Sequence, residues 1–152
     1  ALTYDGPTAL VLSRQSLPIT TDGDAVRYGA ETVVETSNPQ VVLVGTGSEV
    51  SVCVAAAKLL QASGVNANVV SMPSFDRFAQ QASKYRQSVF PQNIPVLSVE
   101  AGVTFGWSQY ADASVGIDRF GASAPGSTVM SKLGISQENV AERARELVNR
   151  KE

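Results

Sequence analysis

The residues in this chain that are best suited to chemistry are a glycine turn, a cysteine, a glutamate and an arginine. The glycine turn, Gly45-Thr46-Gly47-Ser48-Glu49, joins a predicted strand to a predicted helix, a position where many proteins bind phosphate. It has only two glycines and so lacks the dinucleotide-binding fingerprint, and Glu49 in the first helical turn would repel a phosphate. We interpret the segment as a tight turn between strand and helix, with nucleotide binding as the alternative.

Cys53 and Glu100 lie in contrasting settings. Cys53 falls on the apolar stripe of a predicted helix, and no histidine exists to activate its thiol, so we expect it to pack rather than to act as a nucleophile. Glu100 ends a predicted buried strand at the sheet edge where α/β proteins place their sites, although a carboxylate there also commonly caps a loop or pairs with an arginine. The neighbouring Phe105, Trp107 and Tyr110 are typical of a core or an interface.

Arg14 directly follows an apolar run, residues 8–13, which predicts a buried strand. Its guanidinium would emerge at the carboxyl end of that strand, and its planar fork suits a bidentate contact with a phosphate. A lone arginine is more often a solvated charge or a salt-bridge partner. The residues alone therefore leave the role of Arg14 open.

Composition excludes several classes of protein. The chain has 152 residues, which is long enough for one domain with its own core. Its 12 basic and 14 acidic residues form no long block of one sign, so neither nucleic acid nor an anionic membrane is an expected partner. No apolar stretch predicts a membrane span and no signal peptide is evident. A single cysteine argues against a disulfide framework and favours a reducing compartment. The absence of histidine argues against a complete active site.

Strand-like and helix-like segments alternate along the chain and must position these residues. Predicted strands cover residues 30–35, 40–44, 66–72, 95–100 and 114–117, the last at a sheet edge. Predicted helices cover residues 48–63, a short piece after Pro73, 80–89 and 136–149. Gly64 should end the first helix, Thr46 or Ser48 should cap its start, and Ser136 should cap the last helix. This order predicts an α/β domain with three layers, α/β/α.

Several phrases in fixed order resemble the carboxyl-terminal end of a transketolase. They are spread over residues 4 to about 149, and the pattern as a whole is more specific than any one phrase. The phrases are Gly6–Ala9, Leu10–Gln15, Gly45–Val50, Val69–Asp76, Val99–Gly102 and Phe120–Pro125.

The resemblance implies a domain organisation and a fold. Residues 1–21 would be the end of a preceding pyrimidine-binding domain, including its last strand and a linker, and residues 22–152 would be the carboxyl-terminal domain. That domain is a three-layer α/β/α unit with a mixed, mostly parallel five-stranded sheet. In the family it packs against the middle domain and helps to build the homodimer.

The resemblance also implies an activity for a longer parent protein. Transketolases transfer a two-carbon ketol unit between sugar phosphates in the pentose phosphate pathway and the Calvin cycle, using thiamine diphosphate and Mg²⁺ or Ca²⁺. The family arginine that binds the sugar phosphate corresponds to Arg14, and no catalytic, cofactor or metal ligand is expected in this chain. We therefore expect an inactive fragment of a cytoplasmic or plastid enzyme, whose partners are the remaining domains and a second subunit.

Two other readings stay open at this point. The first is a free-standing assembly domain, the role that related carboxyl-terminal domains have in deoxyxylulose-phosphate synthase and in the β subunits of ketoacid dehydrogenases. The second is a nucleotide-binding domain that uses Gly45-Thr46-Gly47.

Overall fold

A computed structural model describes residues 4–21 and 23–150 of this chain. Residues 1–3, 22 and 151–152 lie outside the described residues. The predicted domain boundary between residues 21 and 22 therefore falls next to a residue that the structure does not describe, and both predicted domains extend beyond the described ranges at their outer ends.

Among the residues that the structure describes, five strands form one sheet, in the spatial order β1-β3-β2-β4-β5. The apolar, β-branched run of β2 is completely buried at the centre, as expected for a strand covered on both faces. The neighbours of β2 run parallel to it, β5 runs parallel to β4, and β1 alone runs antiparallel, against β3. The mixed, mostly parallel five-stranded sheet is therefore confirmed. The strands are β1 (Glu31–Val34), β2 (Val41–Gly45), β3 (Ala67–Ser71), β4 (Val96–Val99) and β5 (Ala113–Val115).

In residues 4–21 and 23–150, six α-helices and one short 3₁₀ helix, Trp107–Gln109, surround the sheet. Neither α1 nor α5 was predicted, because both are short and α5 buries no residue that would reveal an apolar stripe. Within the described part of the chain, no helix is both long enough and apolar enough to cross a membrane. The helices are α1 (Asp24–Tyr28), α2 (Glu49–Ala62), α3 (Phe75–Ala79), α4 (Ser83–Val89), α5 (Gly126–Lys132) and α6 (Gln137–Asn149).

The sheet separates two hydrophobic cores, which confirms the three layers. On one face, α2 and α6 pack together over alternate residues of the strands, with Leu43, Leu60 and Val140 fully buried. On the other face, α3, α4 and the 3₁₀ helix cover Val42 and Val44, which point the opposite way along β2. Both faces of the central strand are thus removed from water.

The ends of the two long helices test the predicted caps. Ser136 caps α6, since its hydroxyl accepts a hydrogen bond from the backbone N–H of Asn139 at 3.3 Å. Gly64 follows α2 with φ of +83°, the left-handed conformation that stops a helix. The predicted hydroxyl cap of α2 is wrong, because Ser48 precedes the helix in a helical conformation and its side chain caps no N–H.

The strand predicted for residues 8–13 is not formed. Residues 4–19 are exposed coil, and Leu10, Val11 and Leu12 are 71%, 96% and 83% exposed. A strand buried on both faces needs neighbouring strands and covering layers. Residues 8–13 pair with none of the five strands, whose two faces are already covered by the helices.

Candidate functional site

The candidate site lies at the carboxyl edge of the sheet, where the parallel strands β2, β3 and β4 end together. Gly45 ends β2 opposite Ser71 of β3 and Val99 of β4. The β2–α2 turn and the residues after β4 therefore meet at one edge, which brings together the elements that carry Glu49 and Glu100. Open α/β sheets place their ligands at this edge.

Glu49 is the first residue of α2 and is almost completely buried, with 4% of its surface exposed. The Ser48 hydroxyl donates a hydrogen bond to Glu49 Oε1 at 2.5 Å, which replaces the capping bond predicted for Ser48. Gly45 packs closely beside it, since a Cβ at Gly45 would lie 3.3 Å from the Cβ of Glu49, a tight contact. A buried carboxylate thus sits at the positive end of the α2 dipole, the place where a phosphate would bind. This supports a tight turn rather than a nucleotide site at Gly45-Thr46-Gly47.

Glu100 follows β4 and is partly buried. Burial, and then repulsion from Glu49, raise the pKa of the Glu100 carboxyl above its usual range, while a hydrogen bond from the Trp107 side chain opposes them. The structure therefore brings together two carboxylates that lie 51 residues apart in sequence. The burial of Glu49 was not predicted; the signal for it was the short turn of three residues between the apolar strand β2 and the helix.

A four-residue clasp holds the segment after β4 against the segment after β5. The Asp118 carboxylate accepts two hydrogen bonds from Thr104, one from its N–H at 2.8 Å and one from its hydroxyl at 2.9 Å. Ile117 N–H donates to the Gly102 carbonyl at 2.7 Å. No sequence signal indicated this clasp, because its partners are 14 or 15 residues apart and lie in segments without periodicity.

The clasp presents exposed aromatic side chains. Phe105 is 92% exposed and Phe120 is 98% exposed, although the backbone beside Phe105 is held by the clasp. Trp107, in contrast, is buried and packs edge-on against Phe75 with ring centroids 4.8 Å apart. Tyr110 also joins that core. Of the predicted alternatives, core or interface, the structure shows the core for Trp107 and Tyr110, whereas Phe105 points away from the core and its interface role stays a prediction.

Cys53 is fully buried in α2 among the apolar side chains beneath the sheet. Burial, and secondarily the negative charge of Glu49, raise the pKa of its thiol far above the usual range. The thiolate, which is the reactive form, is therefore strongly disfavoured. The expectation that Cys53 is a packed side chain is confirmed.

Arg14 lies in the exposed N-terminal coil, outside the sheet that carries Glu49 and Glu100. The preceding residue approaches that edge, since the Ser13 hydroxyl lies 3.6 Å from the position that a Cβ on Gly47 would occupy. Arg119 is exposed and forms no ion pair within the described ranges. The structure thus brings Arg14 next to the edge through the chain but does not complete a pocket around it.

Comparison with known proteins identifies the family of this chain. Residues 29–136 match the family described as "Transketolase-like TK C-terminal domain", a span of well over half the chain that includes the whole sheet. The chain belongs to the transketolase family. The matched span contains Glu49, Glu100 and the clasp, whereas Arg14 lies before it.

Individual transketolases resemble the chain over most of its length. Transketolase 1 of Saccharomyces cerevisiae is 44% identical over 145 residues, which are 93% of this chain and 21% of that protein. The solved transketolase of Leishmania mexicana is 45% identical, with a TM-score of 0.83 over 87% of this chain and 20% of that one. A Pichia stipitis transketolase solved with sedoheptulose 7-phosphate is 39% identical, with a TM-score of 0.86 over 90% of this chain and 20% of that one. The chain thus spans about a fifth of the length of these transketolases.

Proposed function

We propose that this chain is the carboxyl-terminal part of a transketolase that transfers a two-carbon ketol unit between sugar phosphates. The observation that carries the proposal is the match of residues 29–136 to the transketolase C-terminal domain. Sugar phosphates as substrates are supported by the similar Pichia stipitis structure, which is described with sedoheptulose 7-phosphate. The pentose phosphate pathway and the Calvin cycle are the settings in which this reaction occurs.

Thiamine diphosphate and Mg²⁺ or Ca²⁺ would supply the carbanion chemistry of such an enzyme. The described residues do not fit either group. No set of three or more His, Cys, Asp or Glu residues within the described ranges could hold a metal ion. The N-terminus of α2, which would suit a diphosphate, is occupied by the buried carboxylate of Glu49. We assign cofactor and metal binding to the other domains of the enzyme.

The role proposed for the residues after α1 is assembly with the remaining domains and with the second subunit of a homodimer. Phe105 and Phe120 expose nearly all of their surface, and the clasp holds the backbone beside Phe105 in place. Rigidly held, exposed aromatic side chains are characteristic of the buried centres of protein interfaces. The apolar side chains of residues 10–12 are also exposed and would be buried if this run formed a strand in the preceding pyrimidine-binding domain.

Arg14 is proposed as the residue that binds the phosphate of the sugar. It is exposed, its side chain is free to turn toward a substrate, and its segment lies beside the carboxyl edge of the sheet. A guanidinium binds phosphate through two parallel N–H donors, which a lysine in the same place would not reproduce.

The proposal is tested by comparing two purified proteins in one assay. The full-length polypeptide that carries this sequence and the 152-residue chain are each supplied with thiamine diphosphate and Mg²⁺, and ketol transfer between a ketose phosphate and an aldose phosphate is measured. We expect transfer by the full-length protein only. Transfer by the short chain at a comparable rate, or none by the full-length protein, would contradict the proposal.

For the cellular compartment we propose the cytoplasm, with a plastid as the alternative in cells that contain one. An immunoblot of fractionated source cells, using an antibody against this chain, decides between them. The same blot measures the size of the native polypeptide, which we expect to be about five times the mass of this chain, because the chain spans 21% of a similar transketolase.

A further inference from the structure

The N-terminal coil crosses the carboxyl edge of the sheet at two points. The Ser13 hydroxyl lies against the turn after β2, 3.6 Å from the position that a Cβ on Gly47 would occupy. Farther along the edge, the guanidinium of Arg77 in α3, the helix that follows β3, lies 6.0 Å from the ring centre of Tyr4. The residue adjacent to Arg14 therefore lies beside the turn that leads into Glu49.

Gly47 meets two requirements at this contact. Its φ of +55° lies in the left-handed region, which most L-residues adopt at a cost. Its missing side chain also leaves the space that the Ser13 hydroxyl approaches, and no other heavy atom beyond its chain neighbours lies within 4 Å of that position. A side chain longer than a methyl group would reach the place of Ser13 and push the N-terminal coil off the edge.

We propose that the Gly47 turn is a positioning element for Arg14. By seating Ser13, it restricts the backbone that carries the next residue and so directs the guanidinium toward the phosphate of the sugar. The inference rests on the proposed phosphate-binding role of Arg14. It adds to that role a contribution from the transketolase C-terminal domain, which otherwise lies apart from the substrate site proposed here.

The test uses the full-length enzyme, loaded with thiamine diphosphate and Mg²⁺, and the substitution Gly47→Asn. Asparagine tolerates the left-handed conformation better than most residues, so the change mainly inserts a side chain beside Ser13. Gly64→Asn is the matched control, because Gly64 also has a positive φ, of +83°, but has no heavy atom within 4 Å of its Cβ position. For each protein, KM and kcat are measured with an aldose phosphate and with the same aldose lacking its phosphate.

We expect Gly47→Asn to raise KM for the phosphorylated acceptor roughly five- to tenfold while leaving kcat and the unphosphorylated acceptor nearly unchanged, since a displaced positioning group costs binding at one end of the substrate. Gly64→Asn should leave both acceptors unchanged. Equal losses on both acceptors, or no loss, would overturn the inference. If Gly47→Asn fails to fold, Gly47→Ser takes its place, because its hydroxyl extends one atom beyond the methyl position toward Ser13, and the smaller KM effect must still be confined to the phosphorylated acceptor.

Arg14→Ala, measured in the same assay, separates this inference from the proposed function. If Arg14→Ala abolishes the preference for the phosphorylated acceptor and Gly47→Asn does not affect it, the positioning role is wrong and the phosphate role stands. If Arg14→Ala leaves the preference intact, the phosphate role of Arg14 is wrong and the positioning role is wrong with it.

Discussion

The clasp between Thr104 and Asp118 should be a measurable source of stability in the isolated chain. Asp118→Ala removes an acceptor that is bonded to Thr104 N–H at 2.8 Å and to the Thr104 hydroxyl at 2.9 Å. Hydrogen bonds to a charged group contribute about 1.5–3 kcal/mol when well shielded, and less where water competes. Asp118 is exposed, so we expect the free energy of unfolding to fall by about 1–2 kcal/mol for the two bonds together.

The assay is urea unfolding followed by tryptophan fluorescence. Trp107 is the only tryptophan, it is buried, and its backbone N–H donates to the Thr104 carbonyl at 3.2 Å, so it reports on the clasp directly. Thr104→Val removes the hydroxyl but keeps the N–H and the methyl group. In a double-mutant cycle, Thr104→Val and Asp118→Ala should therefore show a coupling of about 0.5–1 kcal/mol.

Arg119→Ala is the matched control, because Arg119 is the exposed neighbour of Asp118 and takes no part in the clasp. It should change the free energy of unfolding by less than about 0.5 kcal/mol. Full additivity of Thr104→Val and Asp118→Ala, or an Asp118→Ala variant as stable as the parent chain, would refute the argument that the clasp holds the segment that carries Phe105.

Three further predictions follow from the site and the core. Arg14→Ala should leave the unfolding free energy of the isolated chain within about 0.5 kcal/mol of the unsubstituted chain, because the side chain is exposed. In the full-length enzyme the same substitution should raise KM for phosphorylated sugars about 10- to 100-fold more than KM for unphosphorylated ones. Equal losses on both kinds of sugar would show that Arg14 is not part of the phosphate site. Burial and repulsion from Glu49 raise the folded-state pKa of Glu100 above its ordinary value of 4.5, so its contribution to stability is lost as pH rises through the folded pKa. The Glu100→Gln chain should therefore be more stable than the unsubstituted chain in urea unfolding at about pH 8 and similar to it at about pH 4. An equal difference in stability at both pH values would contradict the raised pKa of Glu100 as the cause. Phe78→Ala should lower the unfolding free energy by about 3–5 kcal/mol in the same assay, because Phe78 is buried and contacts Phe90 edge-on. A loss below about 1 kcal/mol would mean that the side chains on this face of the sheet do not form a packed core.

Local sequence patterns correctly predicted the features that depend on the residues of one segment alone. The apolar run of β2 requires cover on both faces wherever it lies, and the structure buries all of it. Ser136 with Asn139 and the positive φ of Gly64 depend only on neighbours within one helical turn, so both helix ends were predictable. The start of α2 was not predictable in this way, because the Ser48 hydroxyl donates its hydrogen bond to the Glu49 carboxylate, which the tertiary structure buries.

The site shows the limit of such patterns. Glu49 and Glu100 come from separate segments, and their meeting depends on β2 and β4 being neighbours in the sheet, which no local pattern specifies. Thr104 and Asp118 meet because β4 and β5 end side by side. The same dependence explains the failure at residues 8–13, since an apolar run becomes a strand only where another strand is available to pair with it.

The sequence by itself determined the alternation of strands and helices, the burial of Cys53 and the family of the chain, because periodicity, caps and turn residues act over a few positions and the family phrases are read along the chain. The tertiary structure alone decided which carboxylates meet at the carboxyl edge, which aromatic side chains are buried and which stay exposed, and that Ser13 lies beside the Gly47 turn. These are contacts between segments far apart in sequence, and they exist only once the sheet order and the packing of both faces bring those segments together.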